Sequence, residues 1–142
     1  MLISTKGRYA LRVLVDLAKQ KTANPVPLKE IAERQEISEK YLESILKILV
    51  KNKLISGSRG KGGGYLLLKT PDEIDLRTVL EMMEGSLSPV TVLEEDADPK
   101  EIASEGSLLS LWQGLYDVIN EYLEKKTIAD LIDDGSPDYY VI

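Results

Sequence analysis

The chain contains no cysteine, no histidine and no phenylalanine, and a single tryptophan. Without thiols there is no disulfide, no thiolate nucleophile and no thiolate-held metal; without imidazole the commonest general base and zinc ligand are gone as well. Most catalytic repertoires fall away with them, and no nucleophile–base constellation remains, so an enzyme is not expected. Also missing is any run approaching the ~20 apolar residues of a bilayer span, and the N-terminus has no basic segment followed by an apolar one. A cytoplasmic protein is the expectation. A length of 142 residues allows one domain with a dimerisation appendage, its core buried without covalent staples.

What is present is charge, very unevenly placed. The formal total is −6, yet Met1 to Thr70 holds 14 Lys or Arg against 6 Asp or Glu, net +8, and Pro71 to Ile142 holds 4 against 18, net −14. A basic module tied to an acidic remainder points to phosphate contact by the first half. A plain lysine-rich surface is the competing explanation.

The hydrophobic pattern predicts a mainly α protein with one small β-hairpin. Tyr9, Ala10, Val13, Leu14, Leu17 and Ala18 recur at helical spacing and place a first helix over Thr5 to Gln20. A short helix over Leu28 to Gln35 follows, then a turn at Gln35-Glu36-Ile37, and Ser38 caps a helix to about Asn52 with Leu42, Ile45, Leu46 and Leu49 inward. Leu54 to Arg59 and Tyr65 to Lys69 read as strands joined by Gly60-Lys61-Gly62-Gly63-Gly64. A helix-turn-helix followed by a glycine-rich hairpin is a winged helix. Asp75 caps a helix to Glu84 that Gly85 stops, expected to pack under the wing.

The expected organisation is a winged-helix DNA-binding core over 1–70, its first helix free to join a dimer, and a supporting helix and link over 71–88. A flexible acidic loop over 89–106, a dimerisation helix with a short C-terminal helix over 107–134, and a tail over 135–142 complete it. In the long helix, Leu108, Leu111, Trp112, Leu115, Val118, Ile119, Tyr122 and Leu123 form a broad apolar stripe that needs a partner, and dimer packing suits it best.

A recognition helix must offer polar groups to base edges on one face and anchor by the other. Ser38, Lys40, Tyr41, Glu43, Ser44 and Lys47 supply that outer face: Glu43 can accept from a cytosine amino group, Ser38 and Tyr41 can reach phosphates, and Lys40 and Lys47 suit phosphate or guanine. The same residues would also suit an ordinary solvated face. The hairpin is more specific, because Arg59 and Lys61 flank glycines at a tip able to lie along a minor groove, with Arg59 the first choice for insertion. A nucleotide-binding reading of the glycines fails: Lys61 is followed by Gly62 where Ser or Thr is required, and Tyr65 takes the last glycine position of a dinucleotide fingerprint. The carboxylates Glu94, Glu95, Asp96 and Asp98 do not follow calcium-loop spacing, so no metal site is expected.

Three segments together, Met1-Leu2-Ile3-Ser4-Thr5-Lys6-Gly7-Arg8-Tyr9-Ala10, Ser38-Glu39-Lys40-Tyr41-Leu42-Glu43 and Arg59-Gly60-Lys61-Gly62-Gly63-Gly64-Tyr65-Leu66-Leu67, resemble the Rrf2 family of bacterial transcription regulators, in the family's order and over nearly the whole chain. The resemblance implies a homodimer with crossing C-terminal helices, reading an inverted repeat in double-stranded DNA. Ser38, Tyr41 and Glu43 would lie at the major groove and Arg59 at the minor groove. In one branch of the family, cysteines before the long helix hold an iron–sulfur cluster. The corresponding Leu93 to Leu109 has neither Cys nor His, so the expectation is a protein with no cofactor and no cluster of its own.

Ser88-Pro89-Val90-Thr91-Val92-Leu93-Glu94-Glu95 looks like a cluster-free branch that represses cysteine and sulfur-assimilation genes. That resemblance implies control through the cysteine-biosynthetic enzyme O-acetylserine sulfhydrylase (cysteine synthase), with the tail Tyr139-Tyr140-Val141-Ile142 as the captured peptide. The alternatives are a regulator of another pathway that senses a small ligand, and an interaction adaptor that has lost DNA binding.

Overall fold

The computed structural model describes residues 2–20 and 22–132. Its order is α1 (Thr5–Gln20), α2 (Leu28–Gln35), α3 (Glu39–Lys51), β1 (Ile55–Ser58), β2 (Gly64–Leu67), α4 (Leu76–Glu84), α5 (Pro99–Glu105), α6 (Leu108–Glu124) and α7 (Ile128–Ile132). The mainly helical fold with a two-stranded antiparallel hairpin is the winged helix that the patterning predicts. Ser38 and Asp75 cap as their chemistry requires, Ser38 Oγ accepting the Tyr41 N–H at 3.2 Å and Asp75 Oδ2 the Thr78 N–H at 2.9 Å.

The core is a layer of helices under the hairpin. Ala10, Val13 and Leu14 of α1 meet Ile31 of α2 and Leu42, Ile45 and Leu49 of α3, all with no measurable exposure. The wing is built on two glycines. Gly62, at φ 81°, takes the third position of the turn that Gly63 N–H closes on Gly60 C=O at 2.9 Å, a conformation that a side chain disfavours. Gly64 passes so near Val26 that a Cβ would come within 2.3 Å of its carbonyl oxygen. That approach lets Val26 and Tyr65 exchange backbone hydrogen bonds of 2.9 and 2.8 Å, which pins the wing to the segment before α2.

Three expectations are corrected. First, α4 packs chiefly on α1 and α6 rather than under the wing, because Val79 and Leu80 join the helical core and Arg77 reaches Asn120 at 3.0 Å and Glu124 at 2.9 Å. Second, the 89–106 segment is not loop throughout: Asp98 accepts the Lys100 N–H at 2.9 Å and Pro99 takes the first helical position, starting α5. Third, α7, expected in one segment with the long helix, packs with the winged core. Ile128 is fully buried against α1, and its N–H donates to Ile74 C=O at 3.0 Å while Leu76 N–H donates to Lys126 C=O at 2.9 Å. The tail 135–142, including Tyr139, Tyr140, Val141 and Ile142, lies outside the described residues.

Candidate nucleic-acid interface

The orientation of α3 is set from α1. Asp16 is buried on the apolar face of α1, where Arg34 of α2 donates to it from Nε at 3.0 Å and Nη2 at 2.8 Å, and Gln35 Nε2 donates at 2.8 Å. The Asp16 hydrogen bonds, joined by Glu30, hold the Arg34 guanidinium protonated well above its ordinary range. Arg12 of α1 then grips Gln35 twice, through the side-chain oxygen at 3.1 Å and the backbone carbonyl. Glu36 follows in the left-handed region at φ 54°, its N–H returned to the end of α2, and the chain enters α3 at Ser38. A side chain rarely adopts that φ without support, and the Arg12–Gln35–Asp16–Arg34 lock supplies it.

On this frame Lys40, Glu43 and Lys47 stand exposed along α3, and Arg59 and Lys61 stand exposed on the wing, Lys61 at the second position of its turn. None of the five takes part in an ion pair among the described residues. Glu43, Leu46, Lys47 and Val50 of α3 face Gly57, Ser58, Arg59 and Tyr65 of the wing side across an open groove of about 390 Å³. Its rim thus carries a carboxylate acceptor, a flexible cation, a guanidinium fork and, at exposed Val50, an apolar contact of the kind a thymine methyl offers.

The hydroxyl candidates are placed differently. Ser38 is exposed but its oxygen already accepts the cap bond. Ser44 is half-buried and donates to the Tyr41 carbonyl at 2.6 Å, so it serves its own helix. Tyr41 is half-buried with its ring edge-on to Tyr9, centroids 5.9 Å apart. Sequence reasoning used Tyr9 for the helical periodicity of α1 and gave no site role to Arg8 or Arg12, whose guanidinium carbons lie 5.9 Å (Arg8) and 4.8 Å (Arg12) from the Tyr9 centroid. The available signal was two arginines one helical turn apart beside an aromatic at the edge of the apolar face of α1.

In α6 the single stripe read from the sequence is two seams. Leu109, Trp112, Tyr116, Ile119 and Leu123 are half-buried on the side facing α4 and α5, whereas Leu108, Leu111, Leu115, Val118 and Tyr122 are exposed at alternating spacings of three and four. Trp112 Nε1 donates to Glu105 at 2.8 Å, which ties α5 to the inner seam. No helix among the described residues is long and apolar enough to cross a membrane.

Fold, groove and wing together define a winged-helix DNA-binding transcription regulator. The profile of the Rrf2 family, described as an iron-dependent transcriptional regulator, matches residues 3–134, and the chain belongs to that family. It is 37% identical to the HTH-type transcriptional regulator CymR of Bacillus subtilis over 99% of this chain and 98% of that one, and 36% identical to the HTH-type transcriptional regulator IscR of Pectobacterium atrosepticum over 93% and 79%. Among solved structures it is similar to CymR (YrzC), the global cysteine regulator of B. subtilis, with TM-score 0.75 and 36% identity over 96% of this chain and 99% of that one. It is also similar to IscR of T. potens, with TM-score 0.72 and 32% identity over 100% and 93%.

The family description brings iron into question, and the residues present do not fit a cluster. The stretch before and into α6 offers carboxylates, serine hydroxyls, a lysine amine and backbone carbonyls but no thiolate or imidazole, which soft iron–sulfur sites require, and no metal-holding group of carboxylates forms among the described residues.

Proposed function

We propose that this chain is a homodimeric repressor of cysteine or sulfur-metabolism genes that binds an inverted repeat and takes its signal from a partner protein or metabolite rather than a resident cluster. The observation that carries the DNA reading is the groove between α3 and the wing, lined by Glu43, Lys47 and Arg59, none of which is in an ion pair among the described residues. Two copies of a recognition helix, held a fixed distance apart, read two half-sites. The exposed 3–4 seam of α6 supports the dimer, since such spacing is that of one helix packing along another copy of itself. The cysteine assignment draws on the near full-length likeness to CymR, a global cysteine regulator.

In this reading Glu43 contacts bases in the major groove, Lys40, Lys47 and the Ser38 end of α3 contact phosphates, and Arg59 with Lys61 lies in the minor groove. The partner is O-acetylserine sulfhydrylase, recognised through Tyr139 to Ile142. The test is a gel-shift titration on the protein's own upstream DNA and on cysteine-biosynthesis promoters, with and without that enzyme. Binding to a palindrome that sharpens with the enzyme and is indifferent to it after deletion of residues 139–142 is the expected result. Binding indifferent to the enzyme throughout would discard the partner and favour a small-ligand regulator, and no binding beyond random DNA would leave an adaptor. Arg59→Ala should weaken operator binding by roughly 1–3 kcal/mol and relax the preference at A·T-rich positions, as read by titration of base-substituted duplexes.

A further inference from the structure

We infer that Arg8 is a phosphate clamp, gripping the DNA backbone beside the stretch that α3 reads; the inference rests on the proposed DNA reading and adds a contact outside α3 and the wing. The edge-on packing of Tyr9 and Tyr41, 5.9 Å between centroids, sets the start of α1 against the first turn of α3. Arg8 and Arg12 both approach the Tyr9 ring, so a cationic cluster sits beside the end of the recognition helix that also carries Ser38 and Lys40.

The two arginines are not equivalent. Arg12 is bound twice to Gln35 and closes the α2–α3 turn. Arg8 is exposed, holds one long Nη2 bond of 3.4 Å to the Thr5 hydroxyl, and meets no carboxylate among the described residues. Its fork is open for a bidentate contact, and the neighbouring ring restrains it, so less side-chain freedom is lost when a phosphate binds. Arg12 cannot serve in its place without releasing Gln35.

The experiment is fluorescence anisotropy of the full chain on a duplex from its own upstream region and on a scrambled duplex of the same composition, across a range of KCl concentrations. A clamp on phosphate carries no sequence information, so Arg8→Ala weakens binding to both duplexes by the same factor. It also makes the slope of log affinity against log salt shallower by about 1.8 for the proposed dimer, about 0.9 for each of its two Arg8 side chains. Arg8→Lys keeps the slope and recovers part of the affinity, and Arg8→Gln repeats the loss with the side-chain stem still over Tyr9. An unchanged slope in Arg8→Ala and Arg8→Gln, with the unmodified protein binding both duplexes, overturns the clamp. Loss confined to the upstream duplex also overturns it, since that is base readout. An unmodified protein that binds neither duplex overturns the DNA reading itself.

Discussion

Helices α3 and α6 are both amphipathic, yet Leu42, Ile45, Leu46 and Leu49 of α3 are buried within the chain while Leu111, Leu115, Val118 and Tyr122 of α6 stay exposed, the last two at 63%. In α3 the apolar side is an anchor and the polar side is left for a ligand. In α6 the inner seam is covered by its own chain, whereas among the described residues nothing covers the outer seam, which makes the outer apolar side the candidate interaction surface. A stripe in the sequence therefore identifies a buried face but not what buries it; that depends on how many neighbours the chain can bring to each helix.

Breaking the α6 side should have the largest effect. If the outer seam of α6 is the interface of the proposed dimer, Val118→Asp places a charge in it from both protomers, at about 3–5 kcal/mol for each unpaired buried charge, while the site is exposed in the single chain. Sedimentation should show monomers at concentrations where the unmodified protein is dimeric, with helical content retained. Persistence of the dimer would move its interface off this seam. On the α3 side, Leu42→Ala removes a fully buried side chain and should lower unfolding stability by about 2–5 kcal/mol in urea titrations. The two variants separate because the first loses association and keeps the fold, whereas the second weakens the fold of each protomer.

A smaller change sharpens what α3's polar side does. Ser38→Ala deletes the cap on the Tyr41 N–H and should cost about 1 kcal/mol of stability by thermal unfolding, most of it restored by Ser38→Asn. If Ser38→Asn restores stability but not operator affinity, the hydroxyl contacts DNA as well as capping its helix.

The elements that were legible in the sequence carry local signals: Ser38 and Asp75 before apolar runs, Gly85 after one, glycines between two β-forming runs. Long-range pairings were not legible. Asp16 interrupts the apolar face of α1, and nothing nearby in sequence shows that Arg34 and Gln35 neutralise it. The return of α7 rests on backbone bonds from Leu76 to Lys126 and from Ile128 to Ile74, which side-chain periodicity does not encode. In α5 the cue was present and ambiguous, because Asp98-Pro99 ends a loop as readily as it starts a helix. At the site, the chemistry of Lys40, Glu43, Lys47 and Arg59 was readable, but the turning of the Ser44 hydroxyl onto its own helix and the Arg8–Tyr9–Tyr41 cluster needed three dimensions.

The smallest effect lies between the two regions, at the short turn Pro71–Glu73 that leads from the wing into α4. Glu73 accepts from the Thr70 N–H at 3.0 Å and the Thr70 hydroxyl at 2.6 Å, and the side-chain bond from Thr70, then the backbone one, hold its carboxyl below the ordinary carboxylate value of 4.5. A carboxylate whose pKa is depressed by folding contributes stability that is fully present above its unfolded value and is lost as the pH falls through the folded one. Unfolding midpoints measured down from neutral pH into the acid range should therefore fall less in Glu73→Gln than in the unmodified chain. The difference should be slight because the group is fully exposed and solvent screens it. Identical acid profiles would mean that the turn is held by Pro71 and the backbone alone, and that the join between the basic module and the acidic remainder does not depend on this carboxylate.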